Sequence, residues 1–190
     1  MSRILVLASL LALTAACSSP AKAVDDAGSS SPPDACGTGG VEADGGCSPY
    51  VSCSDLTTPT VSFAADIVPI IQPSCAIAGN TCHGTTTGES EGLYLGSYDG
   101  GTDASFVVQG LVGTASLEDP SMVIVKASDP SNSYLMHKLD GDMCTLATSC
   151  ASSTTQYTDC GQQMPYSSPP LDEATRDIIR RWIAQGAKNN

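Results

Sequence analysis

Residues 62–84 read SFAADIVPIIQPSCAIAGNTCHG, and this stretch decides how the rest of the chain is interpreted. Ser62 is a good N-cap, and Phe63 and Ile67 fall with the later isoleucines on one side of a helix. Proline has no backbone N–H, so Pro69 and Pro73 limit the length of that helix or kink it. The stretch predicts a short, amphipathic helix that leads directly into a cysteine-rich segment.

The segment after this helix carries two cysteines and a histidine. In an exported protein the pattern C-x-x-C-H marks covalent haem attachment, in which two thiols bond the haem vinyl groups and the adjacent imidazole binds the iron. Here six residues separate Cys75 from Cys82, and His83 follows directly. The four additional residues must loop out, and Gly79 and Asn80 tolerate the turn that this requires.

Three interpretations of this motif are open. Both thiols bind haem, or Cys82 alone attaches it with Gly79 at the usual position of the first cysteine. In the third, Cys75 and Cys82 form a disulfide and the chain carries no haem.

A second axial ligand must come from elsewhere in the chain. Met164, followed by Pro165, lies about eighty residues beyond His83 and just before the last predicted helix. Its thioether favours Fe(II) and raises the reduction potential. His137 is the only other histidine and would give a lower potential, but its place in YLMHKL indicates an exposed helix position.

The clearest element is the last one. Asp172 is a good N-cap for EATRDIIRRWIAQ, and Gly186 is a natural stop. Further core segments are expected at 106–112, 123–125 and 133–139, and the whole predicts an all-α fold with long loops. The predicted buried face of the last helix consists of Ala174, Ile178, Trp182 and Ile183.

The N-terminal segment reads as an export signal. Residues 1–16 contain Arg3, an apolar run of about ten residues and three small residues before Cys17. A run this short does not span a bilayer of ~30 Å, so it fits a signal peptide. The ending LTAAC predicts a bacterial lipoprotein with Cys17 as the lipidated residue. The alternative is an ordinary signal peptide cut nearby.

Composition divides the remainder into two parts. Residues 17–60 are rich in Ser, Pro, Gly, Asp and Ala and are expected to be an acidic, disordered tether, whereas 61–190 form the domain. The nine cysteines indicate an oxidising compartment, and lipidation of Cys17 leaves an even number. The six outside the haem motif are expected to form disulfides, whose connectivity the sequence does not choose: Cys36, Cys47, Cys53, Cys144, Cys150 and Cys160.

Charge and motif content exclude several functions. The 190-residue chain has 8 Lys+Arg and 20 Asp+Glu, a net charge of −12, which argues against nucleic-acid binding. It has no phosphate-binding loop and no G-x-S-x-G motif, and two histidines make a hydrolase triad improbable. With one Trp and two Phe, the apolar core is expected to be small, so the fold needs a covalent cross-link or a cofactor for stability.

Residues 62–188 resemble the small c-type cytochrome domains of planctomycete and myxobacterial surface lipoproteins. The resemblance rests on FAADIVPIIQPSC, CHG, GLYL, DPSNSYLMHKLDG, QMP and IIRRWIAQGA in this order. It implies cytochrome c-like helices around one haem c, with His83 as proximal ligand and Met164 as distal ligand. It also implies that Trp182 packs against the first helix.

The expected function is electron transfer by an exported protein, without enzymatic activity. The protein is expected to be lipid-anchored and to face the periplasm or the cell surface, and its acidic charge favours a basic, transient redox-partner protein. The alternative is a haem-free, disulfide-stapled surface module with a Cys75–Cys82 bridge, which binds a partner or serves a structural role. The pocket around the haem would consist of Phe63, Ile67, Leu93, Leu95, Leu135, Leu139, Ile178 and Trp182.

Overall fold

The structure is a computed structural model that describes residues 36–37, 39–41, 45–76, 82–84, 92–96, 104–151 and 159–190. All of these residues belong to one compact unit, Asp34–Asn190. The predicted signal peptide at 1–16, the lipidation candidate Cys17 and the tether up to residue 35 lie outside the described residues.

Helices provide most of the regular structure. They are α1 (Val68–Ser74), α2 (Ala104–Leu111), α3 (Tyr134–Asp140), α4 (Ala147–Ala151) and α5 (Glu173–Ala184), with a π-helical turn at Phe63–Ile67 and 3-10 turns at Pro130–Asn132 and Met143–Leu146. Strands β1 (Gly40–Val41) and β2 (Cys47–Ser48) pair antiparallel, with Gly40 opposite Ser48. The described fold is therefore helix-rich with a small strand pair. Within the described ranges, no helix has the length and apolar character needed to cross a bilayer.

The first helical segment begins where the sequence predicts. The Ser62 side chain accepts a hydrogen bond from the backbone N–H of Ala65 at 3.2 Å. Asn190 closes the same end, since its side-chain oxygen accepts from Phe63 N–H at 3.0 Å and its backbone oxygen from Ala64 N–H at 3.1 Å. These contacts satisfy N–H groups that a helix start leaves without partners. The helix ends at Ser74, one residue after Pro73.

The last helix is confirmed, but its buried face is rotated by about one residue relative to the prediction. Asp172 caps the helix, accepting from Thr175 N–H at 2.8 Å. The face is rotated because Arg180 also faces inward and pairs with Asp140 of α3 at 2.6 Å. Ala174 is consequently exposed and Ile178 half-buried. The buried apolar residues of α5 are Ile179, Trp182 and Ile183.

One apolar cluster joins the helices. The rings of Phe63 and Trp182 lie 5.0 Å apart between centroids, which fixes α5 against the first helical segment. The eight residues expected around a haem all belong to this cluster, but among the described residues only Leu95, Leu135 and Leu139 of the eight also line the cavity that Cys75 and His83 share. Those that are buried are Phe63, Ile67, Leu95, Leu139 and Trp182, and those that pack partly buried against it are Leu93, Leu135 and Ile178.

Three disulfides give the connectivity that the sequence left open. Cys36 pairs with Cys53, Cys47 with Cys144, and Cys150 with Cys160. The second joins positions 97 residues apart. It therefore ties the N-terminal part of the described chain to the segment that follows α3.

Residues 45–60, which the sequence analysis assigned to the tether, pack against the helices. The Tyr50 N–H donates to Asp142 at 2.7 Å, and the guanidinium groups of Arg176 and Arg180 lie 4.8 and 4.6 Å from the centre of the Tyr50 ring. The compact unit thus begins before residue 61. Composition did not indicate this, because the contacts are made by a few side chains in a polar segment.

Candidate functional site

The backbone brings Cys75 and His83 together despite the long spacing. The His83 N–H donates to the Cys75 carbonyl oxygen at 3.0 Å. In C-x-x-C-H the first cysteine and the histidine are four residues apart, the separation that an α-helical hydrogen bond joins. Here they are eight apart, and the corresponding N–H and carbonyl groups are still hydrogen-bonded. Residues 77–81, between them, lie outside the described residues.

The His83 imidazole is buried and its orientation is fixed. Nδ1 lies 2.9 Å from the carbonyl oxygen of Leu93. A carbonyl oxygen only accepts, so Nδ1 carries the proton, and in the neutral ring Nε2 keeps a lone pair. The His83 carbonyl in turn accepts from Leu95 N–H at 2.7 Å. A histidine held in this way is oriented as a metal ligand is, with its second nitrogen available.

Cys75 and Cys82 take no part in the three disulfides and are not joined to each other. Both are half-buried. Burial, with a smaller contribution from Cys82, raises the pKa of the Cys75 thiol to about 11. Desolvation disfavours the thiolate, so Cys75 is a neutral thiol at pH 7.

Met164 reaches the same place from the far end of the chain. Its N–H donates to the Lys138 carbonyl at 2.9 Å, which fixes the segment before α5 against α3. Met164, Cys75, Cys82 and His83 all line one cavity of about 310 Å³. The four site residues that the sequence singled out are therefore neighbours in the structure.

The cavity has an apolar wall and an opening. Leu95, Leu135 and Leu139 contribute the apolar wall, whereas Tyr166 at its edge is 58% exposed. A group bound here would contact the leucines and lie next to an exposed side chain.

His137 lies at a different cavity, of about 340 Å³, together with Tyr50 and Arg180. It is half-buried rather than exposed, because Nδ1 pairs with Asp142 Oδ1 at 2.8 Å. Burial lowers the pKa of His137, but the hydrogen bond and the charge of Asp142 outweigh it and raise this pKa above its ordinary value. The alternative ligand of the sequence analysis thus has a structural partner of its own.

Glu118 and Lys138 were not identified from the sequence. Glu118 lines the cavity beside Met164, and its Oε2 lies 2.9 Å from Nζ of Lys138. The one sequence signal is the position of Lys138, four residues after Tyr134 on the same face of a predicted core helix. Nothing in the sequence links either residue to Glu118.

In the ranges that the structure describes, no group of three or more His, Cys, Asp or Glu side chains is arranged to hold a metal ion. Comparison with protein-family models, with curated proteins and with solved structures finds no match.

Proposed function

We propose that this chain is an exported, lipid-anchored electron-transfer protein of the c-type cytochrome kind, with one covalently attached haem c. The observation that carries the proposal is the convergence of Cys75, Cys82, His83 and Met164 on one cavity of about 310 Å³. These residues come from two segments about eighty positions apart, and they supply the donor types that the haem needs.

The donor set fits the group. His83 would bind iron through Nε2, because Nδ1 is engaged by Leu93, and Met164 would supply its sulfur as a second ligand. The thiols of Cys75 and Cys82 would add to two vinyl groups to form thioethers, a reaction that needs no oxidant. The hydrogen bond between His83 and the Cys75 carbonyl supports the interpretation in which both thiols bind, since it restores the backbone pairing of the short motif.

Each residue then has a role in tuning the site. When bound, haem supplies a one-electron Fe(III)/Fe(II) couple. Met164 would favour Fe(II), and the hydrogen bond from His83 Nδ1 to Leu93 would raise the basicity of Nε2 of the same ring. Leu95, Leu135 and Leu139 would provide apolar contacts for the porphyrin. No substrate bond is made or broken, so the proposed protein is an electron carrier and not an enzyme.

The membrane attachment and the partner follow from sequence. Cleavage before Cys17 removes Arg3 and no acidic residue, so the mature chain is one unit more negative than −12. A lipid on Cys17 would hold the domain at a bacterial membrane, facing the periplasm or the cell surface. The charge favours a basic redox partner, and contacts of this kind are small and short-lived.

The proposal is tested with full-length protein matured in a host that attaches haem. We expect a coloured product with the reduced spectrum of a c-type cytochrome and an intact mass increased by one haem. Covalent haem that survives in Cys82→Ser shows that Cys75 also bonds it, whereas its complete loss in that variant points to Cys82 alone. A colourless product with a Cys75–Cys82 disulfide would overturn the proposal in favour of the haem-free module.

A further inference from the structure

The wall of the cavity carries a charged pair that the proposed ligands do not use. Glu118 and Lys138 are 8% and 6% exposed, and the Tyr134 hydroxyl donates to the same Glu118 oxygen at 2.7 Å. Burial and the nearby carboxylate raise the pKa of Tyr134 well above its usual range, so it is a neutral donor. Removing two charges from water is costly, and a buried ion pair is often no more stable than apolar residues of similar volume. Global stability alone therefore does not explain this pair.

The pair is bonded to the chain that leads to Met164. Lys138 Nζ donates to the carbonyl oxygen of Cys160 at 2.8 Å, and the Lys138 carbonyl accepts the Met164 N–H. Between these two points Gly161 passes directly over the pair, because a Cβ at this residue would overlap Glu118 Oε1 and lie 2.7 Å from Lys138 Nζ. Lys138 thus bonds both ends of the segment 160–164, with its side chain at Cys160 and with its backbone carbonyl at Met164.

Glu118 is also a neighbour of Met164 on the cavity side. Both line the cavity of about 310 Å³ and a smaller one of about 70 Å³, which Tyr134 and Lys138 also line. The Glu118 carboxylate, the Lys138 ammonium group and Met164 therefore surround the same small cavity.

We propose that Glu118 and Lys138 are positioning residues for Met164: their buried ion pair holds residues 160–164 against α3 and so fixes the place of the thioether. That the pair fixes the position of Met164 depends only on the contacts above. That Met164 is thereby positioned as an iron ligand rests on the proposed function.

The first test uses the haem-free chain and amide hydrogen exchange at Met164. Glu118→Gln and Lys138→Met should each make this exchange about tenfold faster, because each leaves a buried partner unpaired. The apolar double variant Glu118→Leu/Lys138→Met should recover the global unfolding midpoint but leave the Met164 amide fast. Unchanged exchange in the single variants, or recovery of slow exchange in the double variant, would overturn the proposal.

A glycine pair provides a matched control without a change of charge. Gly161 and Gly113 both have positive φ, +66° and +75°, but a Cβ at Gly113 meets nothing within 4 Å. Gly161→Ala should therefore speed exchange at Met164, and Gly113→Ala should not. Equal effects of the two alanines would show that only backbone strain is involved.

The second test uses haem-loaded protein. Glu118→Gln, Lys138→Met and the double variant should all lower the midpoint potential, in the direction expected for loss of the thioether. Midpoint potentials equal to that of wild type would show that Glu118 and Lys138 do not position Met164 as an iron ligand. If the chain takes up no haem, the proposed function fails, but the exchange experiment still decides whether the pair positions Met164.

Discussion

The Nδ1 atom of His83 donates a hydrogen bond to the carbonyl oxygen of Leu93 at 2.9 Å, and this contact selects the tautomer of the ring. It leaves Nε2 with a lone pair in a histidine that is buried at the cavity wall. Leu93 lies ten residues after His83, in the GLYL segment, and nothing in that segment indicates a contact with the imidazole. The identity of the available nitrogen is therefore a property of the folded chain.

We expect His83→Gly to lose the reduced spectrum of six-coordinate haem while covalent attachment persists, because the thiols remain. Added imidazole should restore the spectrum by occupying the space left by the side chain. His137→Gly is the control and should keep the wild-type spectrum, since His137 lies at a different cavity. An unchanged spectrum in His83→Gly would remove His83 as a ligand.

Replacement of Met164 should lower the midpoint potential. The thioether stabilises Fe(II), so Met164→Ala should lower the potential by at least about 59 mV, which is a tenfold change in the ratio of oxidised to reduced iron. The control is Met136→Ala, since Met136 lines the cavity of about 340 Å³ together with His137. Redox titration measures both variants, and equal potentials in Met164→Ala and wild type would contradict the assignment.

The His137–Asp142 pair should make stability depend on pH. The pKa of His137 is raised in the folded state, so its contribution is complete below the unfolded pKa and is lost as pH rises through the folded pKa. Urea unfolding at several values from pH 5 to 9 should show this loss in wild type, and His137→Gln should show less of it. The same pH dependence in both proteins would assign the effect to other groups.

The two disulfides that involve the segment after α3 should differ in how much they stabilise the folded chain. Cys47–Cys144 spans 97 residues and Cys150–Cys160 spans 10. Loop-closure entropy in the unfolded chain predicts stabilisation of about 4.7 kcal/mol for the longer loop and about 2.7 kcal/mol for the shorter.

Paired Cys→Ser variants and urea unfolding measure this difference. The double variant of Cys47 and Cys144 should be the less stable of the two. It should also expose Tyr50, which the disulfide helps to hold beside Arg176 and Arg180. A greater loss on removing Cys150–Cys160 would show that native contacts, rather than chain entropy, set the order.

Local signals allowed parts of the fold to be predicted. The caps at Ser62 and Asp172 and the boundary after Pro73 depend on neighbouring residues, and the structure has them where the sequence indicates. The face of α5 was predicted less well, because Arg180 is buried by Asp140 on α3 as well as by Asp177 on its own helix, and periodicity does not reveal the contact with α3. Prediction failed where a polar residue became buried through a contact distant in sequence.

The residue types of the candidate site, the helix-rich character and the amphipathic last helix could be predicted from the chain alone, because they depend on spacing along it. Folding established the disulfide connectivity, the packing of residues 45–60 and the burial of Glu118 with Lys138. It also brought Met164 and His83 to the wall of one cavity. These are pairings between distant segments, and their partners are selected by the collapse of the whole core and not by local conformational preference.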